Sequence, residues 1–217
     1  MHFYVFGDLR GEMLQAEKNK NTQHAGKWCD ALAVDELIGD CEKCPACNRP
    51  VSMLKWLEPR KIRLTNTNYP DRLTSWLPES IVVSEKVKEI CEQESLIGIK
   101  SFTPVDVVGV LHMRKSSPTP LKYFSAEVDY ILNVRVDVKN TVVFGQKYDW
   151  SCELCNPWGT TRDKTVKLAL DTSNWKGEDV FKVFSLGVVV SQKFYNLAQK
   201  HNFTNFNLVS VDKYQRD

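Results

Sequence analysis

The sequence predicts an α+β fold of two related strand-helix-strand halves, joined by antiparallel β hairpins and tied by a zinc-ribbon-like four-cysteine site. Three observations predict it. Two CxxC pairs, Cys44-Pro45-Ala46-Cys47 and Cys152-Glu153-Leu154-Cys155, lie 108 residues apart. At nearly the same offset, Ile81-Val82-Val83-Ser84-Glu85-Lys86 is answered by Val188-Val189-Val190-Ser191-Gln192-Lys193. Between the two copies, Val128, Tyr130, Leu132, Val134, Val136 and Val138 alternate with polar residues, the period of a half-buried strand. We therefore expect one domain over 1–217, with a first repeat at about 40–106, a β-hairpin insert at about 107–148 and a second repeat at about 149–212.

The elements follow in chain order. Met1 to Asp8 has no basic n-region and too short an apolar run for a signal peptide, so we expect a cytoplasmic protein. Glu17 to Gly26, rich in Lys, Asn and Gln, reads as a surface loop, and Asp30, Asp35, Glu36, Asp40 and Glu42 as an acidic surface, either solvated charge or a docking face for a basic partner. After the first CxxC comes a basic run, Arg49, Lys55, Arg60, Lys61 and Arg63 with Trp56 among it, and then Ile62-Arg63-Leu64, which aligns with Leu168-Ala169-Leu170. Asn68-Tyr69 and Asn174-Trp175 keep the register. Ile81 to Val83 forms a strand, and Ser84 caps a helix whose Val87, Ile90 and Cys91 share one face. Ser191 does the same for Phe194, Leu197 and Ala198. Gly98 and Asn205 hold matching turn positions and are the residues expected to turn left-handed after each helix. Short strands follow at Ser101 to Val105 and Asn207 to Val211. Lys115 to Pro120 marks a loop, Val128 to Val138 a continuous antiparallel strand, and Lys139-Asn140 a turn into Thr141 to Phe144.

The cysteines carry the chemistry. A chain of 217 residues buries roughly 70% of its unfolded surface, so it needs no staple merely to fold. Seven cysteines, an odd number, make a poor disulfide framework. CxxC places two sulfurs on one tight turn, and two such pairs form a closed tetrahedral environment for structural Zn2+, with iron the other cation that thiolates select. The residue after each pair is Asn, Asn48 and Asn156, which tolerates the positive φ that a knuckle needs there. The expected ligands are Cys44, Cys47, Cys152 and Cys155, with Cys41, which forms a CxxC with Cys44, in reserve. A pseudo-twofold axis would bring the two knuckles to one ion. Cys29 and Cys91 read as ordinary thiols, Cys91 because it aligns with Ala198.

His2, His24, His112 and His201 form no recognisable catalytic arrangement, and no phosphate-cradling glycine motif is present, so no enzyme activity is expected. The net charge of +2 argues against holding nucleic acid by bulk electrostatics, and no run approaches the length of a membrane span.

The knuckle near residue 45, "VVSEKVKE" followed by "LIGIKSFTPV", the second CxxC and the closing "VVVSQKFYNLAQKHNFTNFNLV" together resemble the double-CXXCG motif proteins of bacterial toxin–immunity loci. The likeness spans Lys27 to Val211, with Asn in place of Gly after each CxxC. It implies an immunity protein, a non-enzymatic binder that neutralises a cognate toxin domain. The rival reading is a zinc-ribbon module that binds nucleic acid or takes part in transcription.

Overall fold

The computed structural model describes residues 2–6, 30–34, 38–50, 55–75, 81–111, 121–128, 130–131, 134–137, 142–144, 152, 164–167, 169–183 and 186–213. Six strands close a barrel: β2 (Asp30–Val34), β3 (Lys61–Leu64), β4 (Arg72–Ser75), β5 (Ile81–Ser84), β6 (Ile99–Val110) and β7 (Tyr123–Val128), in the order β2-β3-β6-β7-β5-β4. Alternation fills it. Ile62 and Leu64 of β3 point inward beside Ala31, Leu73, Val82, Val105, Tyr123 and Trp56, while Arg63 faces water. The Tyr123 hydroxyl donates to the Pro70 carbonyl at 2.9 Å, so its polar tip is satisfied at the barrel wall.

A second, antiparallel sheet runs β12 (Val180–Val183), β13 (Gly187–Ser191), β1 (Phe3–Phe6) and β14 (Leu208–Ser210). Two helices, α1 (Glu85–Gln93) and α2 (Gln192–Lys200), follow β5 and β13. They share one apolar core. Val83, Val87, Cys91 and Val128 from the barrel side meet Val180, Val190, Phe194 and Ala198 from the sheet side, so the helical layer is common to both sheets. The opposite face of the second sheet buries Phe3, Val5, Phe181, Val183 and Val189 with Ile131 and Val134.

Four barrel strands and the four-stranded sheet match position by position. In β4-β5-β7-β6, Arg72 pairs with Val83, Ser84 with Tyr123, and Phe124 with Pro104. In β12-β13-β1-β14, Val180 pairs with Val190, Ser191 with Phe3, and Tyr4 with Ser210. The place that β7 takes after the first helix is taken in the second sheet by β1, from before the first helix. That substitution has no local signal, and the expected second repeat at 149–212 does not include it.

Both helix starts are built as expected: the amides of Val87 and Phe194 donate to the hydroxyls of Ser84 and Ser191 at 3.4 and 3.3 Å. At the helix ends the left-handed residues are Ser95 and Asn202, with φ of 48 and 50°. Leu96 N–H to Cys91 C=O and Phe203 N–H to Ala198 C=O then complete matching Schellman closures. Gly98 and Asn205 are also left-handed, at φ 102 and 67°, but three residues further on, where the turn meets the other half. A Cβ on Gly98 would lie 1.9 Å from the Val180 carbonyl oxygen. At the matching position the Asn205 side-chain amide donates to the Arg72 carbonyl at 2.8 Å.

Two buried aspartates lock these turns reciprocally. Asp71 accepts from the Ser84 hydroxyl at 2.8 Å and from the backbone amide of Thr204, in the second half, at 2.9 Å. Asp179 accepts from the Ser191 hydroxyl at 2.8 Å and from the backbone amide of Ile97, in the first half, at 3.2 Å. Lys86 and Lys193 complete the sets, at 3.3 and 3.6 Å from the same carboxylates. A charge-assisted hydrogen bond contributes roughly 1.5–3 kcal/mol, and here each carboxylate ties its own helix cap to the opposite half.

The continuous strand expected from Val128 to Val138 is broken. Val128 ends β7, Tyr130 bridges Lys182 of β12 in parallel, and β8 (Arg135–Val136) pairs with β11 (Leu170–Asp171). Alternation specifies a face and leaves the partner open, and here successive stretches take different partners. β9 (Val142–Phe144) pairs with β10 (Lys164–Lys167). The strand expected at Ser101 to Val105 is the middle of the longer β6, which crosses the expected repeat boundary. The loops expected at Glu17 to Gly26 and Lys115 to Pro120 lie outside the described residues.

Candidate metal centre

The β2–β3 hairpin carries the first CxxC beyond the barrel wall. Ile38 bridges Trp56, and the Gly39 amide donates to Lys55 C=O at 2.8 Å, so the ladder continues past the end of β2. Lys43 then bridges Pro50, and the knuckle closes on itself: Cys44 N–H donates to Arg49 C=O and Asn48 N–H to Cys44 C=O, both at 2.8 Å. Asn48 sits at φ 58°, the left-handed conformation expected of it. With Asn48 folded back, Cys44 and Cys47 share one side of the turn.

Cys152 arrives from the other half. Its sulfur lies 3.8 Å from that of Cys44, and both residues are buried, packed with Cys47 and Tyr130. Tyr130 is itself held to β12 by its bridge to Lys182 and by the Ile131 amide on Lys182 C=O. The Sγ atoms of Cys44, Cys47 and Cys152 all lie within 4.8 Å of one another. For four thiolates around Zn2+ at ~2.3 Å, tetrahedral geometry sets a sulfur–sulfur edge of ~3.8 Å. The Cys44–Cys152 contact has that length, and the three thiols are close enough together to hold a metal ion. Cys155 and Asn156 lie outside the described residues, and Cys41, half-buried, is not one of the three clustered sulfurs.

Of the basic run, Arg49, Lys55 and Arg63 are exposed and Lys61 is half-buried, whereas Arg60 turns back so that its Nε–H donates to Trp56 C=O at 3.0 Å. Trp56 is 4% exposed and belongs to the barrel core, so it does not serve a surface patch. Of the acidic run, Asp40 is exposed and Glu42 half-buried, while Asp35 and Glu36 lie outside the described residues. Cys91 is buried against the helical core, and that burial, with Glu92 and Asp179 nearby, pushes its thiol up to about 12. Such a thiol stays protonated and inert. Among the histidines, His2 is exposed and His201 ends α2; His24 and His112 lie outside the described residues, as does Cys29. The aspartate pair Asp71 and Asp179 carries no motif; its sequence signal is a position 13 and 12 residues before the respective capping serines. No helix among the described residues is long and apolar enough to cross a membrane.

No family model matches this chain, and no curated protein matches it either.

Proposed function

We propose that the chain is an immunity protein: a binder that neutralises a cognate bacterial toxin domain, held in shape by a structural zinc ion between two duplicated halves. The observation that carries this reading is the meeting of Cys44 and Cys47 with Cys152. These belong to the two motifs on which the family likeness rests, and they come together although they are 108 residues apart. Cys155 supplies the fourth thiolate in this reading. Four thiolates leave no coordination position for a substrate, so the ion is a clasp. The duplication is supported by the matched registers of the two four-stranded runs and by the reciprocal aspartate locks.

A rigid scaffold of this kind inhibits by covering a surface, over an interface of roughly 1,600 Å2 in total. Co-expression with a cognate toxin domain is expected to restore growth and to yield a stable complex on pull-down; neither rescue nor complex would sink the proposal. The metal is tested separately. Elemental analysis is expected to find one zinc per chain, lost in both Cys44→Ser and Cys152→Ser, and unchanged metal in the two variants would refute the shared site.

A further inference from the structure

We infer that Cys44 and Cys152 are a redox pair, joined by a disulfide across the two halves when a peroxide-class oxidant reaches the cluster. Only the accompanying metal release rests on the zinc reading; the pairing rests on the sulfur geometry. Cys44 and Cys152 are 1% and 7% exposed, with sulfurs in thiol hydrogen-bond contact at 3.8 Å and no disulfide between them. Closing a disulfide needs a sulfur–sulfur distance of ~2.05 Å, a movement within reach of side-chain rotation on the hairpin-tip knuckle. Cys47, half-buried, is the most accessible of the three and lies within 4.8 Å of both.

This ordering sets the route. Hydrogen peroxide transfers one oxygen to the Cys47 sulfur, its O–O bond breaks, and water leaves, so Cys47 becomes a sulfenic acid and the peroxide is reduced by two electrons. The Cys44 thiol attacks that sulfur, forms the S–S bond and expels a second water, which takes the thiol proton. Cys152 then attacks the Cys44 sulfur and releases Cys47 as a thiol by exchange. The balance is two thiols and one peroxide in, one disulfide and two waters out. When the thiols start as metal-bound thiolates, solvent supplies two protons for the two waters and one more for each freed thiolate that ends as a thiol, and the ion departs. The buried bridge is the end state because a reductant reaches it least easily.

The test treats the full chain with hydrogen peroxide, follows zinc release with a chromogenic chelator, and maps disulfides by mass spectrometry of non-reduced peptides. A Cys44–Cys152 crosslinked peptide is expected, reversed by dithiothreitol, with Cys47→Ser slowing its appearance at least several-fold. A bridge confined to Cys44–Cys47 or Cys152–Cys155, or sulfinic acids without a bridge, would overturn the pairing even if zinc is released. A Cys44–Cys152 bridge in protein isolated without metal would uphold the pairing and overturn the zinc reading.

Discussion

Asn48 holds a φ of 58° directly after Cys47, and the whole knuckle turns on that one backbone angle. Left-handed geometry costs a residue with a Cβ about 1–2 kcal/mol, less for Asn and most for a β-branched side chain. Asn48→Gly is therefore expected to leave metal affinity unchanged or slightly raised, and Asn48→Val to weaken it by about tenfold, read by competition with a chelator. Cys91 provides the contrasting thiol. Its folded-state value is raised from 9.0 to about 12. The stability this contributes is complete below pH 9 and is lost as pH rises from there towards 12. Cys91→Ala, which copies the residue at the matching position of α2, is expected to flatten that alkaline decline in chemical-denaturation midpoints. In the unmodified protein Cys91 is expected to resist thiol reagents at pH 8 until the protein is unfolded. Both residues were legible in the sequence, Asn48 by its place after the CxxC and Cys91 by its alignment with Ala198. The reason is the same: each property is local to a turn or to a helix face.

The strand-helix units α1 and α2 announce themselves by short-range chemistry: a capping hydroxyl, apolar residues at helical spacing, and a residue able to turn left-handed. Those signals placed the helices correctly. What they could not show is that Gly98 and Asn205 serve the opposite half. Adding a Cβ at Gly98 meets the Val180 carbonyl at 1.9 Å in a backbone conformation unfavourable to L residues. Gly98→Ala is thus expected to destabilise by about 3 kcal/mol, whereas the same exchange at a position with negative φ and open space would stabilise. Removing a cap tests the aspartate locks. Ser191→Ala takes away both the cap and a donor to buried Asp179, with an expected loss of about 2 kcal/mol in urea unfolding. The Val128 to Val138 stretch departs from a single strand for a related reason. A period of two names a face of a sheet, while β7, the Tyr130 bridge and β8 each found a different neighbour.

On the scale of the whole molecule, the outer wall of the barrel, the helical layer and one face of the second sheet share a core, and each aspartate lock crosses from one half to the other. Damage on one side should therefore be felt on the other. Asp71→Asn is expected to speed hydrogen exchange at the Thr204 amide, 133 residues away in the chain, by at least tenfold relative to wild type. An unchanged rate there would show the lock to be dispensable. The closing of the barrel through the parallel β2–β4 pair, and the entry of β1 beside β13, were not legible beforehand. Each depends on contacts between distant strands whose own residues look alike.

The position of β1 also bears on how the protein is made. Phe3 to Phe6 precede every other described strand on the ribosome, yet their only neighbours in the sheet are β13 and β14, close to the last described residues. At about 5–20 residues per second, that apolar segment waits roughly 10–40 s for its partners to be synthesised. The barrel can close without it; the second sheet cannot. Nascent chains stalled before Gly187 are expected to leave Phe3 and Val5 open to protease or chaperone capture, and full-length chains to bury them.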